Sequence, residues 1–164
     1  MRTWGSLLER ALYQAEKLHR VEAAMPEQFR ILRSRADLDQ LLADRANGMQ
    51  VVGGLLGIEG AHPLEGDLAN LDKLVEAGHR LIALQHFFDN KLGGSLHGEG
   101  NQGLTEFGRS VVAEVARRGL LLDLAPVSYT HLRAHETSLH LVCRRLLEKR
   151  DWGPGGGGGR WGVA

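Results

Sequence analysis

Apolar runs alternate with segments of helical periodicity from Leu7 to Leu124. Leucines and alanines spaced three and four residues apart predict the first helix. Ser34 stands at an N-cap position with Asp37 three residues later, and Asn47-Gly48 ends the helix that follows. The pattern predicts helices at 7–23, 34–47, 67–77 and 105–118, and strands at 29–32, 51–58, 81–84 and 120–124. Such alternation is typical of a parallel sheet with helical crossovers.

The fold class predicted is therefore α/β. Val51 to Ile58 is a continuous apolar run, which predicts a strand buried on both faces. About four β/α units fit half of a (β/α)8 TIM-type barrel, although a doubly wound open sheet fits the pattern too. Half a barrel would leave two open sheet edges, so the chain is expected to be incomplete.

Composition narrows the function classes. The 164-residue chain has 20 Lys and Arg against 20 Asp and Glu, so its formal net charge is zero. This balance provides no argument for a nucleic-acid or anionic-membrane partner. No apolar run approaches the roughly 18–20 residues that a membrane span needs. Cys143 is the sole cysteine, which argues against disulfides and favours a reducing compartment such as the cytoplasm.

Candidate chemistry lies where the apolar runs end. Glu59 closes the 51–58 run, between Gly57 and Gly60, and His86 follows the 81–84 run. In parallel α/β folds catalytic groups gather at the carboxyl ends of strands, so both side chains are expected on one rim. A helix cap or surface ion pair would explain Glu59 equally well. Asp123, near the end of the last run, is expected to anchor the site rather than react.

Other polar residues are weaker candidates. The loop at 89–103 is long and glycine-rich, as loops that shape substrate pockets often are. Ser95 lacks the setting of a catalytic nucleophile. Four histidines are expected to be ordinary loop or helix-end residues, namely His62 and His97 in loops and His19 and His79 on helix surfaces or ends.

Three segments carry a resemblance to a known family. They read GGLLGIEGAHPLEGDLANLDKLVEAGHRL, IALQHFFDNKLGGSLHG and GLTEFGRSVVAEVARRGLLLDLA, with weaker similarity through RILRSRADLDQLL. Together they resemble the membrane (renal) dipeptidase family of zinc peptidases, in particular its soluble bacterial branch, over residues 5–125. The resemblance implies a (β/α)8 barrel with two zinc ions that share a glutamate and a water or hydroxide.

The resemblance also implies roles for individual residues. Glu59 is similar to the bridging metal ligand, and His86 to the histidine that binds substrate and polarises the developing oxyanion. The first-strand His-x-Asp ligands of the family lie upstream of this chain. The histidine ligand that follows Asp-Leu-Ala in the family is replaced here by Pro126. The fragment is therefore expected to lose zinc and to be inactive, whereas the intact protein would cleave dipeptides or similar small amides. A homodimer of that intact protein stays an open expectation.

Residues 126–164 have a different character. VSYTHLRAHET, from Val127, resembles a translated sequencing adapter, and HLVCRRLLEK, from His140, resembles the translated primer end. Five consecutive glycines follow, as expected from reading past a template end. We therefore expect two segments, a barrel fragment at 1–125 and an artefactual, unstructured or arbitrary tail at 126–164. The tail's histidines at 131, 135 and 140 and Cys143 carry no functional argument.

Two alternatives to the peptidase hypothesis stay open at this point. One is a non-enzymatic α/β binding module in which Glu59 and His86 are structural. The other is a different metal-dependent barrel hydrolase of the amidohydrolase type. The presence of the family's remaining ligands in a longer reading frame would separate these hypotheses.

Overall fold

The computed structural model describes residues 5–95, 98–99 and 103–124 of the chain. Helices and short strands alternate along it as the sequence predicts. The helices are α1 (Leu7–Ala24), α2 (Arg35–Ala46), α3 (Ala69–Glu76) and α4 (Glu106–Arg117). The strands are β1 (Phe29–Ile31), β2 (Val52–Gly54), β3 (Leu56–Ile58), β4 (His79–Ala83) and β5 (Leu121–Asp123), and a 3₁₀ turn covers His62–Leu64.

All strand pairs in the described part of the chain are parallel. β1 pairs with β2, and β3, β4 and β5 form a second sheet in that order. Only Leu55 separates β2 from β3, so segment 52–58 pairs with β1 through its first half and with β4 through its second. Four neighbouring strand positions with helices between them confirm the predicted α/β class and are consistent with part of a (β/α)8 barrel.

One face of the second sheet carries the main core. Ile58 on β3 and Ile82 on β4 are buried in a cluster with apolar residues of the helices. The helical members recur at helical spacing, as an amphipathic stripe requires. They are Leu71 and Leu74 on α3 and Val111 and Val115 on α4, all fully buried. Helix α1 packs on α3 and on the 3₁₀ turn and so closes this side of the sheet.

The burial of segment 51–58 differs from the prediction. The run 51–58 was expected to form one strand buried on both faces, and this is wrong. Val52 is 61 % exposed and Leu55 45 % exposed, whereas Leu56 and Ile58 are buried. Alternation of side chains between two faces would give Val52 and Leu56 the same environment, so the break at Leu55 between β2 and β3 interrupts the pattern.

Two element boundaries also differ. Helix α3 begins at Ala69 rather than at 67, because the Asp67 carboxylate accepts the Ala69 N–H at 2.9 Å and holds a turn ahead of it. Strand β4 begins at His79, which is only 3 % exposed. The expectation of His79 on a helix surface or end is therefore wrong. Burial of its imidazole lowers the pKa of His79, and its Nδ1 lies 3.1 Å from the Leu74 carbonyl oxygen.

The predicted helix caps are present. Ser34 Oγ accepts the Asp37 N–H at 3.2 Å, and the Asp37 carboxylate accepts the Arg33 N–H at 2.8 Å. The Asp37 carboxylate thus reaches back to the residue before the N-cap, which is a variant of the capping box that the sequence predicts for α2. Thr105 caps α4 in the same way, through Gly108. Local sequence thus determines where both helices begin.

Several sequence predictions lie outside the described residues. They concern His97, the Pro126 position and the whole of the tail at 126–164. Within the described ranges, no helix has the length and apolar character needed to cross a membrane.

Candidate functional site

Glu59 and His86 meet at the carboxyl end of the second sheet. Glu59 directly follows β3, and the pairing of Ile58 with Ile82 places it beside Ala83 at the end of β4. His86 lies three residues beyond that strand end. Its Nε2 is 3.6 Å from Glu59 Oε1, with the two side chains 40 % and 77 % exposed. The structure therefore brings the two predicted site residues together at a position open to a ligand.

Gly60 permits this close approach. Its φ of +84° favours glycine, and a Cβ there would lie 2.8 Å from His62 Cδ2 and 3.0 Å from His86 Cβ. The chain then turns back, with the Ala61 N–H donating to the Leu84 carbonyl at 3.3 Å. This turn explains why residues after β3 lie against residues after β4.

His62 lies closer to the site than the sequence suggests. It opens the 3₁₀ turn and is half-buried beside Gly60. Burial and the neighbouring His86 both lower the pKa of His62, which favours the neutral form of its imidazole. Sequence spacing gave no signal for this, because the approach depends on the tight turn at Gly60.

The loop after β4 adds an aromatic group. The rings of His86 and Phe87 make an edge-to-face contact with centroids 4.6 Å apart and an interplanar angle of 70°. Phe88 is 76 % exposed next to it. Two exposed aromatic side chains beside a polar pair give this edge of the sheet both apolar and polar character. The predicted pocket loop at 89–103 begins just after these two phenylalanines, for which no role was predicted.

Asp123 ends β5, one strand further along the sheet. Asp123 pairs with Ala83 on β4, and Glu59 lies beside Ala83 on the other side. Ala83 therefore stands between Asp123 and Glu59. Its main-chain carbonyl accepts the Leu84 N–H at 3.3 Å. The anchoring role of the Asp123 side chain stays a prediction.

A cavity of about 290 Å³ opens beside His62. Its lining includes Glu65, Asn90 and Lys91. The Glu65 carboxylate accepts the Ser6 hydroxyl at 2.9 Å and the Leu7 N–H at 2.7 Å, and these bonds lower the pKa of Glu65. Lys91 Nζ donates to the Glu65 carbonyl at 2.7 Å. Glu65 therefore caps α1 and forms one wall of the cavity.

The described residues by themselves do not make a metal site. A protein-bound zinc needs three or four side-chain donors, with at least three in catalytic sites. Within the residues that the structure describes, no group of three His, Cys, Asp or Glu side chains is placed to hold a metal ion. Glu59 fits as one oxygen donor of such a site, and further donors would have to come from elsewhere.

Comparison with known proteins identifies a family for most of the chain. Residues 4–138 match the membrane dipeptidase family, peptidase family M19. The matched range continues past the predicted boundary at Ala125 into residues that the structure does not describe.

Solved structures show the same fold. A metallo peptidase of family M19, dipeptidase AC, is 28 % identical with a TM-score of 0.63 over 72 % of this chain and 35 % of that chain. A metallo peptidase from Rhodobacter sphaeroides, solved with a phosphinate mimic of the dipeptide L-Ala-D-Ala, is 28 % identical with a TM-score of 0.58, over 72 % and 34 %. An amidohydrolase from Pseudomonas aeruginosa, 23 % identical with a TM-score of 0.62 over 72 % and 34 %, shares the fold.

The chain thus spans about a third of the length of each of these structures. Its parallel strands are consistent with part of their barrel, and the family match covers most of its residues. On this evidence, the chain belongs to the membrane dipeptidase family, peptidase family M19.

Proposed function

We propose that this chain is part of a zinc dipeptidase that hydrolyses the amide bond of dipeptides or similar small substrates. The observation that carries the proposal is the Glu59–His86 pair, 3.6 Å apart at the carboxyl ends of neighbouring parallel strands. That edge is where barrel enzymes place their catalytic groups. Membership in the membrane dipeptidase family supports a hydrolase of this class.

Glu59 is proposed as the carboxylate that bridges the two metal ions. Its side chain is 77 % exposed at the strand end, so both oxygens are open to ligands. The glycines on either side leave room for close approach. When bound, two zinc ions would lower the pKa of a shared water and polarise the scissile carbonyl. A carboxylate between them would offset part of their charge.

His86 is proposed as the group that binds the substrate oxygen. Its Nε2 lies 3.6 Å from Glu59 Oε1, and its ring makes an edge-to-face contact with the Phe87 ring, which restricts the imidazole on one side. A donor aimed at the position of a developing oxyanion stabilises the transition state more than the ground state. Removing one such donor typically lowers kcat about 10²–10³-fold.

The proposed substrate class follows from the relatives. The Rhodobacter sphaeroides structure holds a mimic of a dipeptide, L-Ala-D-Ala, and is 28 % identical to this chain. We therefore propose dipeptides as substrates of the longer protein.

The 164-residue chain itself is proposed to be inactive. The described residues contribute one carboxylate donor at the site and no cluster of three possible ligands. Pro126 stands where the family has a histidine ligand. One carboxylate holds zinc weakly, because a stable site needs several ligands fixed together. Zinc titration monitored by near-UV circular dichroism would refute the weak binding if two ions bind tightly to the 164-residue chain.

The experiment that tests the function compares this chain with a longer reading frame that supplies the remaining ligands. We expect dipeptide hydrolysis by the longer chain and none by the 164-residue chain. His86→Asn should lower kcat about 10²–10³-fold in the longer chain. Glu27→Gln, at an exposed turn residue, is the control and should leave kcat unchanged. A longer chain without an upstream His-x-Asp, or one that is inactive with zinc, would favour the binding-module hypothesis.

A further inference from the structure

The loop after β4 holds the main chain of His86 with its own side chains. Ser95 Oγ donates to the His86 carbonyl at 2.5 Å. Two residues earlier, the Leu84 carbonyl accepts the Asn90 side-chain amide at 2.8 Å. Hydrogen bonds thus fix the backbone both before and at His86. Ser95 is only 1 % exposed, so its bond is shielded from competing water.

Asp89 in turn fixes Ser95. Its Oδ1 accepts the Ser95 N–H at 2.7 Å, which is a charge-assisted hydrogen bond. Gly98 lies directly against this carboxylate, because a Cβ there would overlap Asp89 Oδ1 at 1.6 Å. The loop therefore closes on the Asp89 side chain, and the closed loop carries Ser95 to the His86 carbonyl.

We propose that Ser95 and Asp89 are positioning residues for His86. The His86 side chain is 40 % exposed, with its ring 3.6 Å from Glu59 and in edge-to-face contact with the Phe87 ring, and its Cβ packs beside Gly60. An exposed ring keeps one orientation only if its backbone is held, and a displacement of about 1 Å can cost about 10²-fold in rate. The hydrogen bonds from Ser95 and Asp89 supply that restraint. The catalytic consequence rests on the proposed function, but the restraint itself does not.

The test uses Ser95→Ala in the 164-residue chain, with nuclear Overhauser cross-peaks between the His86 and Phe87 rings as the readout. We expect loss of these cross-peaks and a changed chemical shift of the His86 ring protons. Ser110→Ala is the matched control, because Ser110 Oγ also donates to a main-chain carbonyl, that of Glu106 at 3.1 Å, but on an exposed helix. Cross-peaks that persist in Ser95→Ala as they do in Ser110→Ala would overturn the proposal.

A second pair of variants distinguishes the loss of these hydrogen bonds from global unfolding of the chain. Asp89→Asn keeps an oxygen that can accept the Ser95 N–H, and Asp89→Ala removes it. We expect the His86–Phe87 cross-peaks to persist in the first variant and to vanish in the second while the amide spectrum of α4 stays dispersed. If both Ser95→Ala and Asp89→Ala unfold the chain, these bonds support the whole fold rather than His86, and the proposal is wrong.

The longer, active chain separates this proposal from the proposed function. There Ser95→Ala should lower kcat about 10²-fold and leave KM nearly unchanged, because ring orientation acts on the transition state. Loss of the cross-peaks in a longer chain without dipeptidase activity would overturn the function and leave the positioning intact. Full dipeptidase activity in the Ser95→Ala variant would overturn the positioning proposal and leave the proposed function intact.

Discussion

Gly60→Ala tests the turn that brings the two sides of the site together. The φ of +84° at Gly60 is strained for any residue with a Cβ. The new methyl group would also lie 2.8 Å from His62 Cδ2 and 3.0 Å from His86 Cβ. Neither imidazole can yield easily, because His62 is half-buried and the His86 main chain is held by Ser95. We therefore expect two separate costs at this position.

Their magnitudes can be separated with a control. Left-handed backbone conformation costs alanine roughly 1–2 kcal/mol, and overpacking adds about 1–3 kcal/mol. Gly48 has a φ of +91° with nothing within 4 Å of a Cβ, so Gly48→Ala carries the first cost alone. Gly60→Ala should therefore lower the free energy of unfolding by about 1–3 kcal/mol more than Gly48→Ala.

Urea unfolding of both variants measures this difference, because the midpoint and slope give the free energy of unfolding. Gly60→Ala should in addition alter the His86 ring resonances, which Gly48→Ala should leave unchanged. Equal losses of stability in the two variants, with unchanged His86 resonances, would refute the close packing of His62 and His86 around Gly60.

Three further predictions concern the core and its polar groups. Leu74→Ala, at a fully buried position, should cost about 2–5 kcal/mol in urea unfolding, whereas Leu42→Ala, at a 56 % exposed position, should cost far less. Burial lowers the pKa of His79 below the ordinary 6.5, so the unfolded state binds the proton better than the folded state. The free energy of unfolding should therefore fall as pH drops below about 6.5. His79→Leu should weaken this dependence of stability on pH. The fully buried Gln85 amide has no hydrogen-bond partner among the residues that the structure describes, so Gln85→Met should raise the melting temperature, and a lower one would reveal a partner.

Much of the fold could be predicted because its signals are local. Ser34 and Thr105 are N-caps with short-range partners, and the helices they begin carry apolar stripes. Strand direction follows from the alternation of elements, since parallel strands need crossovers. The exposure of Val52 and Leu55 could not be predicted, because it depends on which elements cover the strands, and the described part of the chain leaves both side chains exposed. An apolar run looks the same in either environment.

The site was only partly predictable for a similar reason. Glu59 and His86 each follow an apolar run, and parallel pairing places such residues at one edge. The position of His62 depends on the left-handed turn at Gly60, which spacing does not reveal. The contacts of Ser95 and Asp89 depend on how the loop folds back on itself.

The central claim is that Glu59 belongs to a two-metal peptidase site. The most direct measurement is zinc content after dialysis, together with dipeptide hydrolysis, for the longer chain carrying Glu59→Gln or the control Glu27→Gln. We predict that the control keeps two zinc ions per chain and full activity, and that Glu59→Gln loses zinc and hydrolysis together. Two retained zinc ions and undiminished hydrolysis in Glu59→Gln would contradict the account.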